Sequence, residues 1–259
     1  MTSLQMLHVS GIRLALRLAC LICAVLCVLP AEALAVQSPP DLGGAWGPSR
    51  GGRGGPPGLA PPPPSPIVLK SPFAETWEER QRAQTEATAR GEPLATPASL
   101  CIPYGMPTMM SVAIYPIEIT QTPAQVTIVT EAFSEVRRAF LDRPQAPIDE
   151  VAPGYYGRSV GHWEGDTLVI DTVGIKESVE YQRIPHSNQM RITERIRLVA
   201  PDMLHDEITI EDPLVLEMPF TYTLAYLRIP DYETVEFICD NNREYRDEQG
   251  AVRLRLGND

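Results

Sequence analysis

The sequence predicts a mainly β protein: an antiparallel, calycin-like barrel, with a two-sheet β-sandwich as the alternative, and one N-terminal surface helix. Three observations lead there. From Pro116 onward the chain is a series of short β-branched or aromatic runs divided by turn residues. None of those runs has the length of a helical crossover between parallel strands. Several of them alternate apolar and polar side chains with period two, the signature of a half-buried strand.

The elements follow in chain order. Arg13 and Arg17 precede an apolar run from Leu18 to Leu29, and Ala33-Leu34-Ala35 fits the small-x-small rule of signal peptidase. Residues 1–35 are therefore expected to be a signal peptide. The apolar run is about a dozen residues, short of the ~20 a span requires, so no stable membrane span is expected after cleavage. The product is expected to be periplasmic or secreted. Residues 37–66 hold ten prolines and eight glycines, and residues 36–66 read as a disordered leader with Trp46 as one possible anchor. Residues 67–259 read as a single β-rich domain. Its helix, 72–90, starts on Ser71 as N-cap with Pro72 in the first turn and stops at Gly91. Phe73 and Trp77, four apart, are its only strong apolar pair, so it lies on a surface.

Nine strands are expected: "IEIT", "QVTIVTEA", "EVRRAFL", "GRSVGHW", "DTLVIDTV", "MRITERIRLV", "LHDEITIED", "FTYTLAYLRI" and "TVEFIC". Between the fourth and fifth, "HWEGDT" gathers His162, Glu164 and Asp166. Those residues straddle a turn, and the stretch reads as a hairpin rather than a catalytic cluster.

The full chain carries a net charge of −11. Removing residues 1–35 takes away Arg13, Arg17 and Glu32 and leaves −12. Such a surface excludes nucleic acid and anionic lipid as natural partners. It would suit a neutral, apolar or cationic ligand, and a small apolar or neutral molecule is the expected partner. Cys101 and Cys239 are the two cysteines beyond the signal segment. In an oxidising compartment an even pair is expected to form a disulfide.

Period two also sorts faces. In "MRITERIRLV" Glu194 is the lone charge among Met190, Ile192, Ile196 and Leu198. In "LHDEITI" Asp206 sits likewise with Leu204, Ile208 and Ile210. A buried carboxylate costs several kcal/mol unless paired or protonated. Arg138, grouped with Val136 and Phe140, is the expected counter-charge, and Tyr222 and Tyr226 are the expected donors. Either this is a structural polar network, or the cluster serves a ligand or a proton transfer. Met109, in the methionine-rich loop "CIPYGMPTMM", is expected either to plug the core or to line an adaptable pocket wall. His186, in the loop "IPHSN" leading to the Glu194 strand, is the candidate proton carrier. Beyond residue 35, His162, His186 and His205 show no H-x-H or H-E-x-x-H spacing, and no C-x-x-C occurs; neither a metal nor another cofactor is expected.

The strings "DLGGAW", "CIPYGMPTMM", "GHWEGDTLVIDTVG", "PHS", "TERIR", "ITIEDP" and "CDNNRE" occur in this order across residues 41–245. In this the chain resembles a large family of exported bacterial proteins, typical of Proteobacteria and Acidobacteria, marked by the W-E-G-D-T-L-V-x-D-T string. The resemblance implies export and β-richness. That family has no assigned reaction, so no residue role is carried over. The chain departs from it by a long Pro/Gly insert after Trp46, and by Gly-Gly where the family more often has Ser-Gly.

Three functions are consistent with these readings. The first is binding of a small, largely apolar molecule in a barrel cup, with Arg138, Tyr222, Tyr226 and Met109 as contacts. The second is an acid/base enzyme, an isomerase, lyase or hydrolase, using His186, Glu194 and Asp206. The third is an envelope interaction protein without a pocket.

Overall fold

Alternating strands bury one face each, and a sheet that curls until its two edges meet leaves no edge exposed. In the computed structural model this closure occurs: nine strands form a closed barrel. The structure describes residues 38–49, 54–92, 94, 96–112, 114–239, 244–246 and 252–254. The expected signal peptide lies outside the described residues.

The barrel strands are β1 (Gly44–Pro48), β2 (Ile117–Thr122), β3 (Gln125–Thr130), β4 (Glu135–Leu141), β5 (Arg158–Glu164), β6 (Thr167–Val173), β7 (Arg191–Ala200), β8 (Met203–Glu211) and β9 (Phe220–Arg228). Neighbours pair antiparallel except β4 and β5, which run parallel and are joined by the crossover 142–157. Among the described residues one α-helix, α1 (Phe73–Ala89), lies outside. A hairpin of β10 (Glu244–Arg246) and β11 (Val252–Leu254) pairs only with itself. No helix among the described residues is long and apolar enough to cross a membrane.

Two expectations change. The stretch expected to be a disordered leader supplies β1, which closes the ring by pairing Trp46 with Ile117 of β2 and with Arg228 of β9. Trp46 is fully buried, donates Nε1–H to the Leu42 carbonyl at 2.9 Å, and lies 4.2 Å beneath the Arg228 guanidinium. The proline-rich continuation is ordered against the outer wall of β8 and β9. Ser49 N–H donates to the Ala225 carbonyl, and Ser65 N–H to the Thr221 carbonyl, both at 2.8 Å. His205 Nε2 donates to the Leu59 carbonyl at 2.9 Å. Proline has no N–H to leave unsatisfied and little freedom to lose. A proline-rich strap can therefore be held by a few bonds at its ends.

The second change concerns "TVEFIC". Its place in the ring is taken by β1, and residues 229–239 run as an irregular tail outside. The Tyr232 hydroxyl donates to Glu131, and the Thr234 hydroxyl donates to Glu118 at 2.8 Å. The Phe237 ring lies 4.9 Å from that of Phe133. Cys239 then forms the expected disulfide with Cys101.

The β5–β6 connection is the expected hairpin. Its two-residue loop is Gly165-Asp166, with Gly165 at φ +63°. A two-residue loop opening on a left-handed residue calls for glycine there. Helix α1 is exposed along most of its length, and Trp77 packs against the core. Ser71 does not cap its backbone; the hydroxyl donates instead to Glu75 Oε1 at 3.1 Å.

Candidate functional site

The inward residues of β4 to β9 carry both apolar and polar groups. Ile170, Ile192, Ile196 and Ile208 are fully buried. Among them Glu194 is bound in a bidentate ion pair, but by Arg137 rather than Arg138. Arg137 Nη1 donates to Glu194 Oε1 at 2.8 Å, and Nη2 donates to Oε2. Arg137 Nε donates to the Ser159 hydroxyl at 3.1 Å and Nη2 to the Thr172 hydroxyl at 3.0 Å. Both charged side chains are essentially without solvent contact. Arg138 points outward and is exposed. The expected face of β4 is thus inverted: Glu135, Arg137, Ala139 and Leu141 are buried, while Val136 and Phe140 are half-buried on the outside. Pairing with β3 sets Arg137 opposite Ile128, an inward residue, and this decides the face.

Glu135 is also inside, at the barrel end. It accepts N–H bonds from Tyr104 at 2.5 Å and Gly105 at 2.9 Å, fastening the loop that carries the methionines. Burial holds its carboxyl above the usual range despite those bonds. Met109, in that loop, is buried in the core and is not among the residues lining the cleft at β9. The Tyr226 hydroxyl donates to the Met110 carbonyl.

Asp206 is fully buried, opposite Ile196 on β7 and Leu224 on β9. Neither of its carboxyl oxygens has a hydrogen-bond partner among the described residues. Burial, then the nearby charge of Glu194, push its pKa well up, with Arg137 only partly offsetting them. The shift favours the neutral, protonated carboxyl in the folded protein. This sets a pH dependence. The unfolded chain releases the Asp206 proton near about pH 4, while the folded chain holds it to higher pH. Asp206 therefore lowers stability progressively as pH rises above that point. Asp206→Asn should match wild type at pH 3 and exceed it increasingly at pH 5, 6 and 7 in urea titrations. A gap independent of pH would show that Asp206 is not held protonated.

His186, Glu194 and Asp206 are not brought together as an acid/base set. The His186 ring faces two backbone carbonyls, Val179 from Nε2 at 2.8 Å and Ser187 from Nδ1 at 3.2 Å. It borders a small apolar hollow with Met190, Ile210 and Phe220. Glu194 is taken up by Arg137, and no hydrogen bond joins either carboxyl to the histidine.

The opening to the interior lies elsewhere, and its origin is a mismatch of strand lengths. β9 has nine residues, yet only Tyr226, Leu227 and Arg228 pair with β1. Along the rest of β9 the barrel wall has a seam, bridged among the described residues by Ser49 at Ala225 and Ser65 at Thr221. A cleft of about 720 Å³ occupies that seam. Phe220, Tyr222 and Leu224 form its floor, Pro61 to Pro64 and Ile67 its roof, and Ser111 and Gln182 its polar rim. No side chain lining it is an acid or a base of ordinary pKa near neutrality. Tyr222 stacks on Tyr181 with ring centroids 5.5 Å apart. Burial keeps its hydroxyl protonated far above neutral pH, with Tyr181 and the inner carboxyls adding to the effect. Leu224, which lines the cleft, is directly across from Asp206 in the β8–β9 ladder. Arg137, Glu194 and Asp206 line neither this cleft nor the hollows around Lys70, His186, His205 and Thr96.

Of the residues picked out by sequence pattern, Tyr222 alone borders the cleft. The rest of the lining was not foreseen, because it is assembled from the strap, two loops and the unpaired half of one strand. Among the described residues, no group of three His, Cys, Asp or Glu side chains could hold a metal ion.

Fold and cleft together define a small closed β-barrel with a side opening. No family model matches the chain, and no curated protein matches it.

Proposed function

We propose that the protein binds a small, largely apolar, uncharged molecule in the seam cleft, and does so outside the cytoplasm. The observation that carries the reading is the cleft itself. Its volume falls within the range of small-molecule sites, about 300–1,000 Å³, and its lining is apolar with a few neutral hydrogen-bonding groups. The inner Arg137–Glu194 pair is read as a structural strut, since every partner it needs is supplied by the barrel. The extracytoplasmic setting is supported by the disulfide, which persists in oxidising compartments. The leader sequence and the resemblance to exported bacterial proteins point the same way.

The test is binding of the neutral fluorophore N-phenyl-1-naphthylamine. Saturable binding is expected, with an affinity reduced at least about tenfold, or ~1.4 kcal/mol, in Leu224→Trp, which fills the cleft floor. Asp171→Asn, on the outer face, should bind as wild type does. No saturable binding by the wild-type protein, or equal binding by Leu224→Trp, would remove the cleft as the site.

A further inference from the structure

The seam leaves a backbone position open. In an antiparallel strand, successive residues direct their N–H and C=O groups to opposite neighbours. Arg228 N–H donates toward β8, to the Asp202 carbonyl, whereas Ile229 N–H donates toward β1, to the Ala45 carbonyl. Even-numbered positions of β9 thus serve β8, and odd-numbered ones face the seam. No register shift interrupts the β8–β9 ladder to alter that phase. Of the odd positions, Thr221 is satisfied by Ser65, through both its carbonyl and its N–H. Ala225 accepts from Ser49, and Leu227 pairs with Gly47. Thr223 lies between these clamps and lines the cleft. Among the described residues its N–H and C=O have no partner. The strap overhead cannot donate to the Thr223 carbonyl, because Pro61 to Pro64 carry no N–H.

A free N–H and C=O side by side on a strand edge match one chemical group, the backbone of an extended peptide residue. Two bonds would form, N–H to C=O in each direction, as in an ordinary antiparallel pair. The flanking clamps limit the slot to one such residue. Its side-chain neighbours would meet Phe220, Tyr222, Leu224 and Ile67, all without formal charge. We infer that the cleft recognises a short, uncharged, apolar peptide segment, bound in extended form against Thr223 as a fragment of the missing strand. This rests on the cleft being a binding site at all and names what it takes.

The test uses the full chain and three probes: N-phenyl-1-naphthylamine, the capped peptide N-acetyl-Leu-Val-Leu-amide, and the same peptide methylated on all three residue nitrogens. In the free protein, the Thr223 amide should exchange with solvent faster than those of Tyr222 and Leu224. The capped peptide should displace the fluorophore, shift the Thr223 amide resonance and slow its exchange. The methylated peptide, which has lost its three residue N–H donors, should bind at least about tenfold more weakly. Equal binding by both peptides, a Thr223 amide already as protected as its neighbours, or fluorophore binding without peptide binding would each overturn the inference while leaving the cleft standing. Failure of the fluorophore as well would take the cleft reading with it.

Discussion

Arg137→Met is expected to destabilise the protein by about 3–5 kcal/mol, because it strands Glu194 as an uncompensated charge inside the barrel. The guanidinium makes bonds to Glu194, Ser159 and Thr172, and all four side chains are buried. Lost packing does not explain such a value, since methionine is close in length and apolar. The decisive comparison is the double variant Arg137→Met/Glu194→Leu, which removes both charges and should recover most of the loss. Chemical denaturation of the four-member cycle gives the coupling directly. A double variant no more stable than Arg137→Met would mean that the pair is not the source of the cost. Arg138→Met, one residue along and exposed, should change stability by no more than about 0.5 kcal/mol.

Removing the disulfide, by Cys101→Ser/Cys239→Ser, is expected to cost about 4–5 kcal/mol. The bond joins cysteines 138 positions apart, and restricting so long a loop removes much of the disorder of the unfolded chain. The loss should be seen in denaturant midpoints, and in tail residues such as Thr234 and Phe237 exchanging their amides faster. The barrel itself should remain, since the ring is closed by β1 and not by the tail. Unchanged stability would show that the tail is held by its contacts with Glu118, Glu131 and Phe133 alone.

Much of the barrel was legible because alternation was strict where the strands are long. In β7 and β8 the apolar positions repeat at every second residue, so Glu194 and Asp206 stand out as inward charges, and both are buried. The phase of β4 is ambiguous in sequence because its two arginines are adjacent and two of its apolar side chains, Val136 and Phe140, lie on the outer face. Phe140 is half-buried there, beneath the Arg143 guanidinium at 4.7 Å. Local composition favoured one phase and cross-strand register imposed the other.

β1 escaped notice for a different reason. Its five residues include two glycines and a proline, so local preference opposes a strand. What makes it one is the pair of open edges on either side, a property of the whole ring that no local window contains. The cleft was hidden in the same way. It depends on β1 being shorter than β9, and relative strand length is not a feature of any single motif. Tyr222 could be nominated from alternation alone, whereas Pro61 to Pro64, Ser111 and Gln182 could not.

The ring has a consequence for the order of assembly. β1 is the first barrel strand to emerge during synthesis, yet half of its pairing awaits β9, the last. Contacts between such distant parts of a chain form slowly, since a long loop must close before any bond rewards it. Until then β1 and β9 are both unsatisfied rims, open to pairing with another copy. The interval between translation and circularisation is therefore when this molecule is most vulnerable to aggregation.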